Sequence, residues 1–327
     1  MKRLKIEPND AGQRVDKFLS KAVPALPQSL MYKYLRTKRI KLNGKKTEIS
    51  KRLETGDELE LYIGDEFFAP VKPRYDFLGA GRELHIVYED KNLLLLDKKV
   101  GLLSHPDEGE YTDTLIGRVQ RYLYEKGEYD PGAEQSFAPA LVNRIDRNTG
   151  GIVIAAKNAE ALRILNRKLK DREIKKQYLC VLIGSLPEKE AEVEAYALKN
   201  EKTNTVQVYA APRPGAKTMR TRYQVLDEYG GLTLAEVDLL TGRTHQIRAH
   251  MAFLGCPLLG DGKYGTNALN ARFGGYKKQF LYSYKLTFAF TADAGILNYL
   301  AGKSFTAGDV WFQKEFRTLG NRQDRRQ

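Results

Sequence analysis

Residues 65–82 divide this chain of 327 residues into two parts of unequal length. The segment has no helical or strand periodicity, and it contains two prolines and two glycines that end regular structure: Pro70, Pro73, Gly79 and Gly81. We therefore expect a linker there, between a small domain at residues 1–64 and a larger domain at residues 83–320. Residues 321–327 are polar and basic, and we expect them to form a frayed tail.

Positive charge is concentrated in the smaller part. The chain contains 54 Lys and Arg against 41 Asp and Glu, for a net charge of +13, and residues 1–64 alone contain 15 against 8. Such a surplus favours a polyanionic partner, either nucleic acid or an acidic membrane surface. The apolar runs are too short for a membrane-spanning helix, and no apolar stretch follows the first cations as it would in a signal peptide. We therefore expect a cytoplasmic protein that binds nucleic acid and no membrane.

Several common kinds of site are excluded by the residues themselves. Two cysteines, Cys180 and Cys256, are too few for a disulfide scaffold or a four-cysteine zinc site. His245 and His250 lie five residues apart, which places them on different faces of a helix, and no HExxH pair is present. Walker A, dinucleotide-binding and G-x-S-x-G patterns are also missing. The sequence therefore predicts neither a metal nor a cofactor.

The smaller part predicts two helices followed by short strands. Apolar residues at helical spacing predict a first helix near residues 14–22, and a second fits residues 30–37. Asn43-Gly44 predicts a hairpin turn, and residues 58–63 predict a further strand. Cations interleaved with apolar residues in the second helix and the hairpin favour a folded RNA- or DNA-binding face over an ordinary solvated surface. The cations that we expect to contact phosphates are Lys33, Arg36, Lys38, Arg39, Lys41 and Lys45.

Three segments of this part resemble the S4-type RNA-binding domain. They are RVDKFL at residues 14–19, KRIKLNGK at residues 38–45 and the pair Gly56-Asp57. The resemblance implies binding to structured RNA through its shape and phosphates rather than through base edges. It names no reaction, because S4-type domains occur in ribosomal proteins, tyrosyl-tRNA synthetases, some RNA methyltransferases and pseudouridine synthases.

The larger part alternates short strands with a few helices. An apolar strand at residues 151–156 leads into a helix capped by Asn158. A later helix is expected to have Thr244 as its N-cap and to end before Gly255. Because hairpins outnumber helical crossovers, the sequence predicts an α+β fold with a mixed, largely antiparallel sheet and flanking helices.

Three polar stretches in the larger part are candidates for chemistry. Residues 143–151 read NRIDRNTGG, and on its own this run is typical of a tight turn in which Asp146 accepts backbone hydrogen bonds. Residues 171–178 read DREIKKQY, a basic segment that enters a strand. Residues 241–250 read TGRTHQIRAH, a turn that opens a helix.

In this order the three stretches resemble the RluA-type pseudouridine synthases. The family's H-R-L-D-x-x-T-S-G motif appears at residues 143–151, its K-x-Y motif at residues 176–178 and its G-R-T-H-Q-I-R-x-H motif at residues 242–250. Its G-x-P-I-x-G-D-x-x-Y-G motif matches residues 255–265. The resemblance covers roughly residues 84–287, and an S4-type domain in front is usual in the family.

The match to the family has departures. Asn143 stands where the family has His, and Gly150 stands where it has the Ser of T-S-G. DKKVG at residues 97–101 stands in place of the family's N-K-P-A-G. None of these departures includes Asp146.

The resemblance implies isomerisation of uridine to pseudouridine in RNA, in which the uracil is detached from its ribose, turned and rejoined through carbon. Asp146 would be the essential carboxylate, and it would attack the sugar or the base or remove a ribose proton. Arg248 would pair with Asp146 and keep it charged, and Tyr178 would stack on the target uracil. Because the base must leave the stack, Arg144 would fill the gap, and Arg147 would contact phosphate.

These expectations define one function and its rivals. The chain is expected to be a monomeric isomerase that acts on large-subunit ribosomal RNA, either free or in a pre-ribosomal particle. The residues that we expect to build the floor of its pocket are Arg243, Thr244, His245 and Gln246. The first rival is a non-catalytic S4-type factor, which would need a degraded version of the motif around Asp146. The second rival is another S4-bearing enzyme, but no HIGH-like, KMSKS-like or glycine-rich cofactor signature is present.

Overall fold

The computed structural model describes residues 1–68 and 75–324. Residues 1–64, called the N-terminal module below, form a four-stranded antiparallel sheet with the strand order β1-β4-β2-β3 and two helices. Its elements are β1 (Lys2–Lys5), α1 (Val15–Ala22), α2 (Gln28–Arg36), β2 (Ile40–Leu42), β3 (Lys45–Lys46) and β4 (Glu58–Leu61).

The module follows its sequence pattern closely. Both predicted helices form, and the hairpin between β2 and β3 has positive φ angles at Asn43 (50°) and Gly44 (73°), as a two-residue hairpin turn requires. One apolar cluster, which includes Phe18 and Leu59, fills the space between the helices and the sheet. Strand β1 was not predicted, because KRLK has a single apolar residue and therefore shows no alternation.

The rest of the chain, called the body below, is dominated by strands. Two helices pack on each face of its sheet, and short 3-10 helices occur at residues 76–79 and 295–300. Its elements are β5 (Ile86–Glu89), β6 (Leu93–Lys98), α3 (Leu115–Glu125), β7 (Ala140–Leu141), β8 (Gly150–Ala156), α4 (Ala159–Lys170), β9 (Ile174–Ile183), β10 (Glu190–Asn200), β11 (Thr205–Tyr209), β12 (Lys217–Tyr229), β13 (Leu232–Leu239), α5 (Gln246–Phe253), α6 (Asn267–Ala271), β14 (Leu281–Phe288), β15 (Ser304–Thr306) and α7 (Trp311–Asp324).

The body's strands form one sheet of eleven, in the order β11-β10-β12-β13-β9-β14-β8-β6-β5 with β15 beside β14 and β7 beside β8. Within the described residues, every strand pair of this sheet is antiparallel except β14 and β8, which run parallel. The predicted α+β fold with a mixed, largely antiparallel sheet is therefore confirmed.

Both faces of the central sheet are buried. On one face, α3 and α5 pack against alternate strand residues such as Val153 and Val237. On the other face, α4 covers Ile152 and Ile154, while α7 packs over Val181. Because successive strand residues point to opposite faces, this two-sided burial explains the nearly continuous apolar run of β8. The same geometry places α5, the loop before β8 and alternate side chains of β9 on one face of the sheet.

The boundaries between predicted segments are only partly described. Short 3-10 helices at residues 65–68 and 76–79 lie in the predicted linker, whereas residues 69–74 lie outside the described residues. A tail was predicted from residue 321, but α7 extends to Asp324, and residues 325–327 lie outside the described residues. No helix within the described ranges is both long and apolar enough to span a membrane.

A polar interface joins the module to the body. The side chain of Asn9 donates to Glu134 (2.7 Å) and accepts from the first backbone N–H of α4 (3.2 Å). Asp10 is almost fully buried and accepts hydrogen bonds from Ser136 (2.5 Å) and Gln135 (2.8 Å). The strip of residues 9–13 therefore attaches the module to the body through directional hydrogen bonds, two of them to a buried carboxylate.

Candidate active site

Asp146 lies in the loop between β7 and β8, on the same face of the sheet as α5. Its backbone carbonyl accepts a hydrogen bond from Thr149 (3.0 Å), so the loop is the tight turn that its composition predicts. The side chain is 32% exposed, which leaves one side of the carboxylate open to solvent. Asp146 is therefore accessible from outside although its neighbours are buried.

Arg248 on α5 holds Asp146 and a second carboxylate at once. Its Nη1 donates to Oδ2 of Asp146 at 2.8 Å, although the two residues lie 102 positions apart in the sequence. Its Nε and Nη2 donate to the two oxygens of Asp261 at 2.6 and 3.0 Å. Arg248 is 10% exposed and the Asp261 side chain is fully buried. The bidentate pair with Asp261 therefore orients the guanidinium that contacts Asp146.

Contacts within this cluster keep Asp261 and Arg248 in their charged forms. Burial alone raises the pKa of Asp261, but the hydrogen bonds from Arg248 outweigh it and leave the pKa of Asp261 below its usual value. Burial opposes the charge of Arg248, but Asp261 and Asp146 together raise its pKa above the usual value, so it stays charged. Within the described residues, Oδ1 of Asp146 accepts no hydrogen bond. This oxygen is therefore the one available to a substrate.

Tyr178 lies on β9 and is 5% exposed, in the apolar cluster that also contains Val237 and Ile247. Burial raises the pKa of Tyr178 to about 12, and the charge of nearby Asp146 also raises it. The ring is thus a core residue, and its hydroxyl is within electrostatic reach of the carboxylate. The phenol stays protonated at neutral pH.

Lys98 is an unpredicted support of the Asp146 loop. Its side chain is buried, and its ammonium donates to the backbone carbonyls of Lys99 (3.0 Å), Leu102 (2.7 Å) and Arg147 (3.0 Å). Burial lowers the pKa of Lys98 to about 7. Because Arg147 follows Asp146 directly, this ammonium ties the Asp146 loop to the loop after β6.

The two glycines after the loop are required by close packing. A Cβ on Gly150 would lie 2.4 Å from the ring of Tyr282, whose hydroxyl donates to Asp97 at 2.6 Å. Gly151 has φ +112°, and a Cβ there would lie 2.2 Å from the backbone oxygen of Ser283. Two departures from the family pattern, Gly150 and Asp97, therefore meet at one side chain, because both contact Tyr282.

We expect Gly151→Ala to lower the free energy of unfolding by about 3 kcal/mol, through roughly 1 kcal/mol of backbone strain plus the overlap with β14. Gly255→Ala is the matched control, since Gly255 also has positive φ (+83°) but has no atom within 4 Å of the added Cβ. It should lose only about 1 kcal/mol. Urea unfolding of both variants measures the difference, and equal losses would contradict the proposed overlap.

The start of α5 differs from the prediction. Thr244 is not the N-cap, because α5 begins at Gln246 and is preceded by His245 in the left-handed conformation, with φ 50° and no side-chain cap. Gln246 instead closes the turn: its Oε1 accepts from Arg243 N–H (3.0 Å) and from the Thr241 hydroxyl (2.8 Å). This turn contacts the Asp146 loop through His245, whose Nε2 lies 3.9 Å from Oδ2 of Asp146.

The predicted RNA-contacting cations lie in two places. Arg144 and Arg147 are exposed on either side of Asp146, while Ile145 between them is buried. In the module, none of the six predicted cations forms an ion pair with another described residue, and Arg39 packs over the ring of Tyr34 (4.9 Å). Five are exposed and Lys41 is half-buried: Lys33, Arg36, Lys38, Arg39 and Lys45.

Sequence reasoning missed three residues of this site: Lys98, Asp261 and Tyr264, whose hydroxyl lies 2.8 Å from Nδ1 of His245. All three lie inside segments aligned with family motifs, so the sequence indicates their positions but not their contacts. In the described part of the chain, no group of three or more His, Cys, Asp or Glu side chains is arranged to hold a metal ion.

Comparison with known proteins links this geometry to one family. The sequence profile described as RNA pseudouridylate synthase matches residues 92–253. Ribosomal large subunit pseudouridine synthase C of Vibrio cholerae serotype O1 is 31% identical over 294 residues, which is 88% of each chain. An uncharacterized RNA pseudouridine synthase of Mycoplasma genitalium is 32% identical over 280 residues, 85% of this chain and 86% of the relative.

Solved structures agree at the level of the fold. Human RNA Pseudouridylate Synthase Domain Containing 4 superposes with a TM-score of 0.55 at 19% identity. The match covers 73% of this chain and 93% of the human chain. The matched part of this chain therefore has the fold of that protein.

Proposed function

This chain belongs to the RluA-type family of RNA pseudouridine synthases, and from that premise we propose that it isomerises specific uridines of large-subunit ribosomal RNA. The observation that carries the proposal is the contact between Arg248 and Asp146 (2.8 Å), which leaves one carboxylate oxygen free in an open site. An inactive S4-type factor would have no reason to keep a charged carboxylate there. The relatives named for the large ribosomal subunit support this choice of RNA.

We assign roles to the residues of the site as follows. Asp146 is the essential carboxylate, and Arg248 pairs with it and orients it. Tyr178, of which 5% is exposed in the free protein, is the proposed stacking partner of the target uracil, and its protonated hydroxyl is suited to hydrogen bonding with the base. Arg144 is exposed next to Asp146 and fills the gap left by the flipped base, while Arg147 contacts phosphate.

The choice of RNA is tested by mapping pseudouridines. Large-subunit ribosomal RNA from a strain lacking this protein should have unmodified uridine at positions that are pseudouridine in the parent strain, and the purified protein should restore them. Small-subunit ribosomal RNA and tRNA from the same strain serve as comparisons. A loss confined to tRNA would overturn the ribosomal substrate while leaving the reaction in place.

For the N-terminal module we propose an S4-type RNA-binding role. The helices α1 and α2, the β2–β3 hairpin and β4 occur in the order of the S4-like segments, and the six cations expected to contact phosphates form no ion pair with another described residue. Unpaired surface cations are suited to phosphates, whose binding releases counterions and is therefore sensitive to salt. The proposed division is a docking domain at residues 1–64 and a catalytic domain at residues 83–320, acting as a monomer.

We expect replacement of three module cations by Gln to weaken RNA binding in a salt-dependent way. With Lys33, Arg36 and Lys45 replaced, the slope of log K against log salt should flatten by about 2 to 3, because each lost phosphate contact removes roughly 0.7–0.9. A control with the same change in charge replaces the exposed Lys91, Lys202 and Lys303 of the body. If the control flattens the slope equally, the module has no special role in binding.

A further inference from the structure

The hydroxyl of Tyr264 connects β11 to the ring of His245. It accepts a hydrogen bond from the Val206 N–H at 2.9 Å and lies 2.8 Å from Nδ1 of His245. No other acceptor for the hydroxyl proton occurs among the described residues, so donation to Nδ1 satisfies it. Nδ1 is therefore an acceptor, and a neutral ring carries its proton on Nε2.

The ring of His245 is neutral in this environment. Its side chain is 9% exposed, and burial lowers its pKa. The charges nearest to it have opposing effects, since Asp146 raises its pKa while Arg248 and Lys263 lower it. At neutral pH the ring thus has one N–H, at Nε2.

The Nε2–H of His245 lies close to the carboxylate of Asp146. Nε2 lies 3.9 Å from Oδ2 of Asp146, the same oxygen to which Arg248 donates. His245 also has φ 50°, a conformation that is uncommon for a residue other than glycine and that recurs at active sites. Tyr264 supports both contacts, because it lies edge-on to His245 and beneath the guanidinium of Arg248.

We propose that His245 is a positioning residue for Asp146 and that Tyr264 sets the tautomer in which it acts. A distance of 3.9 Å is too long for a direct hydrogen bond and is spanned by one hydroxyl oxygen, from water or from the bound ribose. Nε2 and Arg248 then both act on Oδ2, so that Oδ1 is directed at the substrate. The inference rests on the proposed role of Asp146.

Two amide variants at His245 separate positioning from a structural role. His245→Gln carries an amide N–H to about the place of Nε2, whereas His245→Asn ends near Nδ1 and cannot reach Asp146. Asn is the better fit to the left-handed backbone, so a purely structural role predicts that His245→Asn is the more active. Positioning predicts the reverse, with kcat of His245→Asn roughly 10-fold below that of His245→Gln and KM similar in both.

Tyr264→Phe tests the tautomer. Without the hydroxyl, the ring can place its proton on Nδ1 and turn a lone pair toward Asp146, so kcat should fall roughly 10-fold. In the His245→Gln background the same change should have little effect, because an amide has no tautomer to choose. Equal effects in both backgrounds would overturn the role of Tyr264.

The same assay distinguishes failure of this inference from failure of the proposed site. Each variant is measured beside the unchanged enzyme and Asp146→Asn, in the same steady-state assay on one RNA. An active Asp146→Asn would overturn the role of Asp146 itself. An inactive Asp146→Asn, together with His245→Asn at least as active as His245→Gln, would overturn only the role of His245.

Discussion

Asp146→Asn should abolish pseudouridine formation while the protein stays folded. The rate should fall by roughly 10³-fold or more, as for other residues that act directly in a reaction. The amide oxygen can still accept from Arg248, and the side chain is partly exposed, so the free energy of unfolding should change by only about 1 kcal/mol. Release of the hydrogen at carbon five of the uracil, measured as tritium from labelled RNA, follows the reaction directly.

A matched control makes this result specific. Asp309→Asn removes the same charge from an exposed carboxylate that pairs with Lys314, just before α7. Asp309 lies beside the helix that covers the opposite face of the sheet, so the activity of the Asp309→Asn variant should be unchanged. RNA binding by Asp146→Asn should also be nearly unchanged. If Asp146→Asn released tritium at the rate of the unchanged enzyme, another residue would be the essential carboxylate.

Arg248→Met should cost both activity and stability. Methionine is similar in length but leaves the buried carboxylate of Asp261 without its bidentate partner, and breaking such a pair costs about 3–5 kcal/mol of unfolding free energy. The contact to Asp146 is lost as well, so tritium release should fall steeply. Arg248→Lys keeps a positive charge and should lose less stability, although it cannot reproduce the two-pronged contact.

The stability loss of Arg248→Met should depend on pH with a definite sign. In the unchanged protein the pKa of Asp261 lies below its usual value, so its stabilising contribution is present at neutral pH and is lost as the pH falls. In the variant, burial is no longer outweighed by Arg248, so the pKa is raised and the ionised form is the destabilised one. The difference between the two proteins should thus be larger at about pH 8 than at about pH 5. Equal losses at both values would contradict this account.

Local patterns predicted much of the fold. The strand predicted at residues 151–156 forms as β8, and Asn158 caps α4 through the backbone N–H of Ala161. β10 was not predicted, because its alternating Glu and Ala residues are also good helix formers, and only pairing with β12 settles the choice. The predicted start of α5 was wrong, because the capping signal of Thr244 is overridden by the contacts of His245 and Gln246.

The candidate site was predictable in part for a similar reason. The motifs identified Asp146, Arg248 and Tyr178, and the contact between the first two is present. The partner on the other side of the guanidinium, Asp261, depends on how the turn after α5 folds back, which no sequence period encodes. The tautomer of His245 depends on a hydroxyl nineteen residues away. The sequence thus indicates which residues belong to the site, whereas the hydrogen bonds among them are seen only in the three-dimensional structure.

The hydrogen-bonded strip at residues 9–13 has a consequence for the choice of substrate. It attaches the proposed docking module to the body at residues 134–136 and at the start of α4, so Asp146 and the cations proposed to bind phosphate are held at a set separation. We therefore expect the enzyme to act on a uridine that the folded RNA presents at the matching distance from the bound phosphates, and to leave unmodified the same sequence in an RNA of different shape.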